Sequence, residues 1–173
     1  MCHKKAVVAL VMVVVLASMI GVGAFQAQAA EQPITQGAFV ILFTSLLGYQ
    51  REVPFLSYVY RDLRVYVEVL QKNGIIPPGL AAGIIGDRQA PLTAGTLAVL
   101  LAKALRLPIA DLIPDPTPDQ YIDYVRALQR AEIPIPSDPT VEMTRSEMAE
   151  TVNSPNVLSE IVGIYKVPGS PIS

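Results

Sequence analysis

The sequence predicts an all-α fold: one small helical domain built from two to three pseudo-repeated helix–loop–helix units, preceded by a signal peptide. Three observations predict it. Sliding the chain by 58 residues lays 33–78 on 91–136 without a gap. Apolar residues recur at helical spacing in both copies. Helix-start signals stand at Thr35, Thr93 and Thr144. The expected organisation is a signal segment over 1–29, a single domain over 31–166 with copies 33–78, 91–136 and a partial 143–165, and a frayed tail over 167–173.

The signal segment comes first because it changes the composition of everything after it. Lys4 and Lys5 precede an apolar run from Ala6 to Phe25, and Gln26-Ala27-Gln28-Ala29-Ala30 supplies small residues at a cleavage site. Cleavage after Ala29 or Ala30 is expected, placing the protein in a bacterial periplasm, cell wall or cell surface. An uncleaved anchor is the alternative, since a run of about 20 apolar residues is long enough to span a bilayer. Only in that case is a membrane an expected partner.

Cys2 and His3, the one cysteine and one histidine of the chain, leave with that segment. The remainder has no thiolate, no imidazole base and no His- or Cys-ligated metal, so triad hydrolysis and common zinc sites are excluded. Removing Lys4 and Lys5 leaves 11 Lys+Arg against 15 Asp+Glu, a formal charge of −4. That balance speaks against nucleic acid as a partner. No cofactor and no metal are expected. Asp115, Asp119 and Asp123 lie close together, but a proline-stiffened loop without the glycine of a calcium loop reads as capping and solvation. Near carboxylate pairs, Asp62 with Glu68 and Glu147 with Glu150, have nothing to separate them from surface charge, and the protein is read as non-catalytic.

Eleven of the 46 aligned positions are identical between copies, concentrated in two blocks. The first block is a helix start. A threonine hydroxyl at 35 or 93 can accept from a first-turn amide. Ile34 with Phe39 and Leu92 with Leu97 have the spacing of a hydrophobic staple. Phe39, Leu42, Phe43, Leu46 and Leu47 form one apolar face, as do Leu97, Leu100, Leu101, Ala104 and Leu105. Met143-Thr144-Arg145-Ser146-Glu147-Met148 repeats the start with a complete Thr-x-x-Glu capping box, and Asn153-Ser154-Pro155 should end that helix.

The second block is a helix end. Val59, Leu63, Tyr66, Val67 and Leu70 share a face of a helix expected to begin near Ser57, and Gly74 suits a left-handed stop. The second copy carries Glu132 in place of that glycine, so a different exit is expected. Leu112–Asp119 is a proline-rich loop with Thr117 or Asp119 as the cap of the next helix. A last helix over 156–165, capped by Ser154 with Pro155 at its first position, completes the reading.

These residues together resemble the S-layer homology (SLH) family: a helix ending in Leu70-x-x-x-Gly74-Ile75-Ile76, a loop, and a Thr-Arg-x-Glu helix start. The resemblance covers about 34–152, with 58–106 matching one motif and 115–152 a second, shorter one. It implies a pseudo-threefold assembly, the segment 156–165 closing the ring in permuted order, and attachment to a cell-wall polymer, either peptidoglycan or a secondary polysaccharide. The family's binding arginine falls on Arg145 alone; Gln36 and Ala94 occupy the other two places, and the family's tryptophan falls on Asp62 and Gln120. Its loop aspartate matches Asp115. Candidate binding residues are therefore Arg145, Thr144 and Asp115. Tyr58 and Tyr60 join them as surface aromatics that can stack on sugar rings. The alternative partner is another envelope protein, contacted by a scaffold that has lost polymer binding.

Overall fold

A computed structural model of the chain describes residues 31–165; the expected signal segment 1–29 and tail 167–173 lie outside them. The described residues are all-α, without β-strands. The first sequence copy, 33–78, holds α1 (Gln36–Leu46), α2 (Phe55–Tyr60) and α3 (Leu63–Lys72), and α4 (Pro78–Gly86) follows from its last residue. The second holds α5 (Ala94–Ala104), α6 (Pro108–Leu112) and α7 (Tyr121–Arg130), followed by α8 (Arg145–Val152) and α9 (Pro155–Tyr165). The ranges of α5 and α7 are those of α1 and α3 displaced by 58 residues. Helix α3 packs on α1, α7 on α5 and α9 on α8.

Three threonines start three of these helices in one way. Thr35 Oγ1 accepts from the Ala38 amide, Thr93 Oγ1 from Thr96 and Thr144 Oγ1 from Glu147, each over 3.2 Å. The residue ahead of each cap, Ile34, Leu92 or Met143, is buried. A fully buried side chain of this size contributes about 1.5–3 kcal/mol.

The backbones of those three residues meet in a closed ring. The Ile34 amide donates to the Met143 carbonyl (3.0 Å), Met143 to Leu92 (2.8 Å), and Leu92 to Ile34 (2.7 Å). Three further bonds flank it: Gln36 donates to Ala90 (2.9 Å), Ala94 to Val141 (2.8 Å) and Arg145 to Gln32 (3.2 Å). Helix starts leave amides without intrahelical partners, and here the neighbouring strand-like segment supplies the acceptor. The bridges Pro33–Thr144, Thr35–Pro91 and Thr93–Glu142 belong to the same arrangement.

Several expectations are corrected. The helix foreseen from Ser57 is two helices, α2 and α3, broken at Arg61 (φ 51°), and Asp62 caps α3 by accepting from the Arg64 amide. Val59 consequently leaves the apolar face and is exposed, and Leu42 is also exposed. Glu132 does not impose a different exit. It takes the left-handed conformation (φ 57°) of Gly74 (φ 72°), and Ile133 donates to Leu128 as Ile75 does to Leu70. The loop from Leu112 begins inside α6, and Thr117 caps a single 3-10 turn, Pro118–Gln120, that runs into α7. Ser154 does not cap α9 through its hydroxyl, which donates back to the Thr151 carbonyl. Helix α4 was not anticipated at all.

The last helix reaches across the domain. Val157 and Ile161 are buried in the common core. Tyr165 donates to the Ala104 carbonyl (2.8 Å) and meets the ring of Tyr49, just past α1, edge-on at 5.6 Å. Among the described residues no helix is long and apolar enough to cross a membrane.

Candidate functional site

A groove of about 600 Å³ opens between the start of α8 and the first copy. Arg145 and Met148 form one wall, Ala38, Ile41 and Leu42 of α1 another, and Tyr58, Val59 and Arg61 the third, with Tyr66 among its lining residues. Arg145 stands there because Thr144 caps α8 and the Arg145 amide is bound to Gln32, which puts this exposed residue at the first helical position and on the lining of the groove. Burial, joined by the nearby Tyr58, holds the Tyr66 phenol above its ordinary range, against the opposing pull of Arg61.

The chemistry at Arg145 differs from that of a bare helix N-terminus. The amides of Arg145 and Glu147 are committed to Gln32 and to Thr144 Oγ1. Glu147 Oε2 in turn accepts from the Thr144 amide (2.9 Å) and hydroxyl (2.8 Å), which holds its carboxyl below the usual range. Thr144 is thereby occupied as a cap. The ion pairs among the described residues are Lys72–Glu52 and Arg126–Asp123, so Arg145 pairs with neither Glu142 nor Glu147. An anion at this place would be met by the guanidinium and the helix dipole.

A second groove, of about 500 Å³, lies between Gln36 and the second copy. Under the 58-residue offset of the sequence, Ala38, Tyr58 and Val59 of the first groove fall on Thr96, Pro116 and Thr117 of the second, and Arg145 and Gln36 each follow a capping threonine. Asp115 lines it, but its Oδ1 accepts from the Gly79 amide (3.1 Å) and so holds the start of α4. The Gln36 side chain donates to the Pro91 carbonyl (3.3 Å). This groove has no cation in its wall.

The five candidate residues thus separate. Arg145 and Tyr58 share one groove; Asp115 is in the other; Thr144 is internal to its capping box. Tyr60 is exposed on α2 outside both grooves. Arg61 was missed. Its signal was the Tyr60-Arg61-Asp62 sequence, in which an aspartate can start a new helix and leave the preceding residue at a corner. Of the near carboxylates, Asp62 and Glu147 are both engaged as caps. Among the described residues no group of three His, Cys, Asp or Glu gathers to hold a metal.

Comparison with protein-family models, with curated proteins and with solved structures finds no match.

Proposed function

We propose that this is a non-catalytic, exported cell-envelope protein with SLH-like pseudo-repeats that attaches to a cell-wall polymer through the Arg145 groove. The observation that carries the reading is the juxtaposition of Arg145, Arg61 and Tyr58 on the walls of one open slot. Two guanidiniums recognise carboxylate or phosphate groups on a polymer, and an aromatic ring offers a face to a sugar. An extended chain needs an open slot where a small metabolite needs an enclosed cavity.

The pseudo-threefold architecture is part of the proposal. What supports it is the hydrogen-bond ring through Ile34, Leu92 and Met143, the 58-residue displacement of two helix pairs, and the contact of Tyr165 with Tyr49 that brings the last helix round to the first. Export is supported by the sequence over 1–29.

The second reading is a scaffold that has lost polymer binding and contacts another envelope protein. Gln36 and Ala94 at the places of Arg145 favour it, because two of three junctions then lack the cation. Co-sedimentation with isolated sacculi, set against capture of envelope proteins, separates the two. The polymer reading expects the chain to pellet with sacculi, and Arg145→Ala and Arg61→Ala each to weaken binding about tenfold, the worth of one charged hydrogen bond. No pelleting, or pelleting indifferent to both substitutions, contradicts it.

A further inference from the structure

We propose that α2 is a membrane-contact element whose side chains bed into the interfacial layer of a lipid bilayer. Phe55 is 77% exposed, Leu56 66%, Val59 55% and Tyr60 78%, and Tyr58 beside them is also exposed. Only Ser57 of this helix is half-buried. A surface helix normally turns one polar face to water and hides one apolar stripe. Here consecutive residues are exposed, so apolar surface runs round the rod. Single exposed apolar side chains are ordinary; a contiguous patch of them marks an interaction surface.

Two observations identify the occupant. The first is charge. Arg51 precedes the patch, and Arg61 and Arg64 follow it. Of the nearest acids, Glu52 pairs with Lys72 (3.9 Å), and Asp62 caps α3 by accepting from the Arg64 amide while keeping its negative charge. Glu68 lies a further turn along α3, and among the described residues it pairs with no cation. None of the three arginines is in an ion pair among the described residues. Aromatic and aliphatic side chains flanked by arginines match the interfacial layer, where rings sit at headgroup level and guanidiniums reach lipid phosphates.

The second is the path of the chain. The Gln32 carbonyl is fixed to the Arg145 amide, and Arg145 and Ile34 line the same groove as Tyr58 and Val59. The polypeptide therefore enters the domain beside α2. The apolar run Ala6–Phe25 ends seven residues before Gln32, a spacer that spans at most about 25 Å when extended. Where the run Ala6–Phe25 stays uncleaved, a bilayer holding it is within reach of α2. The inference shares Tyr58, Val59 and Arg61 with the Arg145 groove, while Phe55, Leu56 and Tyr60 lie outside that groove and carry the test.

The chain contains no tryptophan, so single introduced tryptophans report cleanly. Full-length Phe55→Trp and Leu112→Trp would be reconstituted with vesicles of phosphatidylethanolamine and brominated phosphatidylglycerol. Leu112, also 77% exposed, belongs to the second copy. The proposal expects a blue-shifted emission at position 55, quenched several-fold more strongly by the brominated lipid than emission at position 112. Equal quenching at both positions, or none at 55, overturns it. A blue shift at 55 that grows with protein concentration without lipid assigns the face to a second copy of the chain and equally overturns it. Should Phe55→Trp fail to fold, Tyr60→Trp carries the same test.

Discussion

Gly95 lies against Pro139 so closely that a β-carbon on it would stand 2.9 Å from both the Cβ and the carbonyl oxygen of Pro139, and 2.9 Å from the Tyr121 Cβ. The Gly95 amide donates to that same carbonyl over 2.8 Å. Gly37 repeats the relationship with Arg88, whose carbonyl oxygen would be 2.8 Å from an added β-carbon. This explains an identity between the two copies: the second helical position must come within hydrogen-bond distance of the neighbouring backbone, and a side chain would hold it off. Gly95→Ala should destabilise by about 1–3 kcal/mol, the usual cost of overpacking against a backbone that cannot retreat. Thermal or urea unfolding checks it; a change under a few tenths of a kcal/mol would contradict the close approach.

The stop after α7 makes the opposite prediction. Glu132 holds a left-handed conformation that costs a non-glycine residue about 1–2 kcal/mol. Glu132→Gly should therefore raise stability by about 1 kcal/mol, after the glycine's own loss of freedom on folding. Gly74→Ala, at the matching stop after α3, should lower it by a similar amount. Paired urea melts read both changes.

The capping box at Thr144 gives a pH dependence whose sign follows from its cause. Hydrogen bonds from the Thr144 amide and hydroxyl lower the Glu147 pKa in the folded chain. Its stabilisation is complete above the unfolded glutamate value and is lost as pH falls through the depressed folded value. Glu147→Gln should be less stable than the parent near neutrality and should converge with it as pH drops below 4.5. Thr144→Ala should cost about 1 kcal/mol at neutral pH. Urea midpoints measured across this range test both.

At the alkaline end the sign is reversed. Burial pushes the Tyr165 and Tyr124 phenols up to about 12, with Tyr49 adding to the first and Asp115 to the second. Tyr165 donates to Ala104 and Tyr124 to the Ile113 carbonyl. Their contribution is present below the unfolded tyrosine value and is lost as pH rises from there through about 12. Tyr165→Phe should reduce stability at neutral pH through the lost hydrogen bond and flatten the decline above pH 10, as followed by circular dichroism.

What was legible in the chain is what local chemistry writes. The caps at Thr35, Thr93 and Thr144, the staples behind them and the apolar spacing of α1, α3, α5 and α7 are each readable within a dozen residues. Helix α4 was not, because Pro77-Pro78-Gly79 and two further glycines read as a loop; its start is held by Asp115, 36 residues away. The break at Arg61 was hidden because the apolar pattern runs through it and the corner is made without glycine. Of the candidate site, Arg145 and Tyr58 were named from sequence, but nothing local says that they share a groove, that Asp115 belongs to another, or that Arg61 joins them. That information resides in the ring through Ile34, Leu92 and Met143, where each amide finds a carbonyl about 50 residues or more along the chain.

The most direct test of the account is therefore amide hydrogen exchange at those three residues. A closed ring in the centre of the domain predicts that Ile34, Leu92 and Met143 exchange only through global unfolding, with equal protection that falls together in Gly95→Ala. Fast exchange at any one of them, with the other two still protected, would show the ring to be open and would contradict the way the grooves are built.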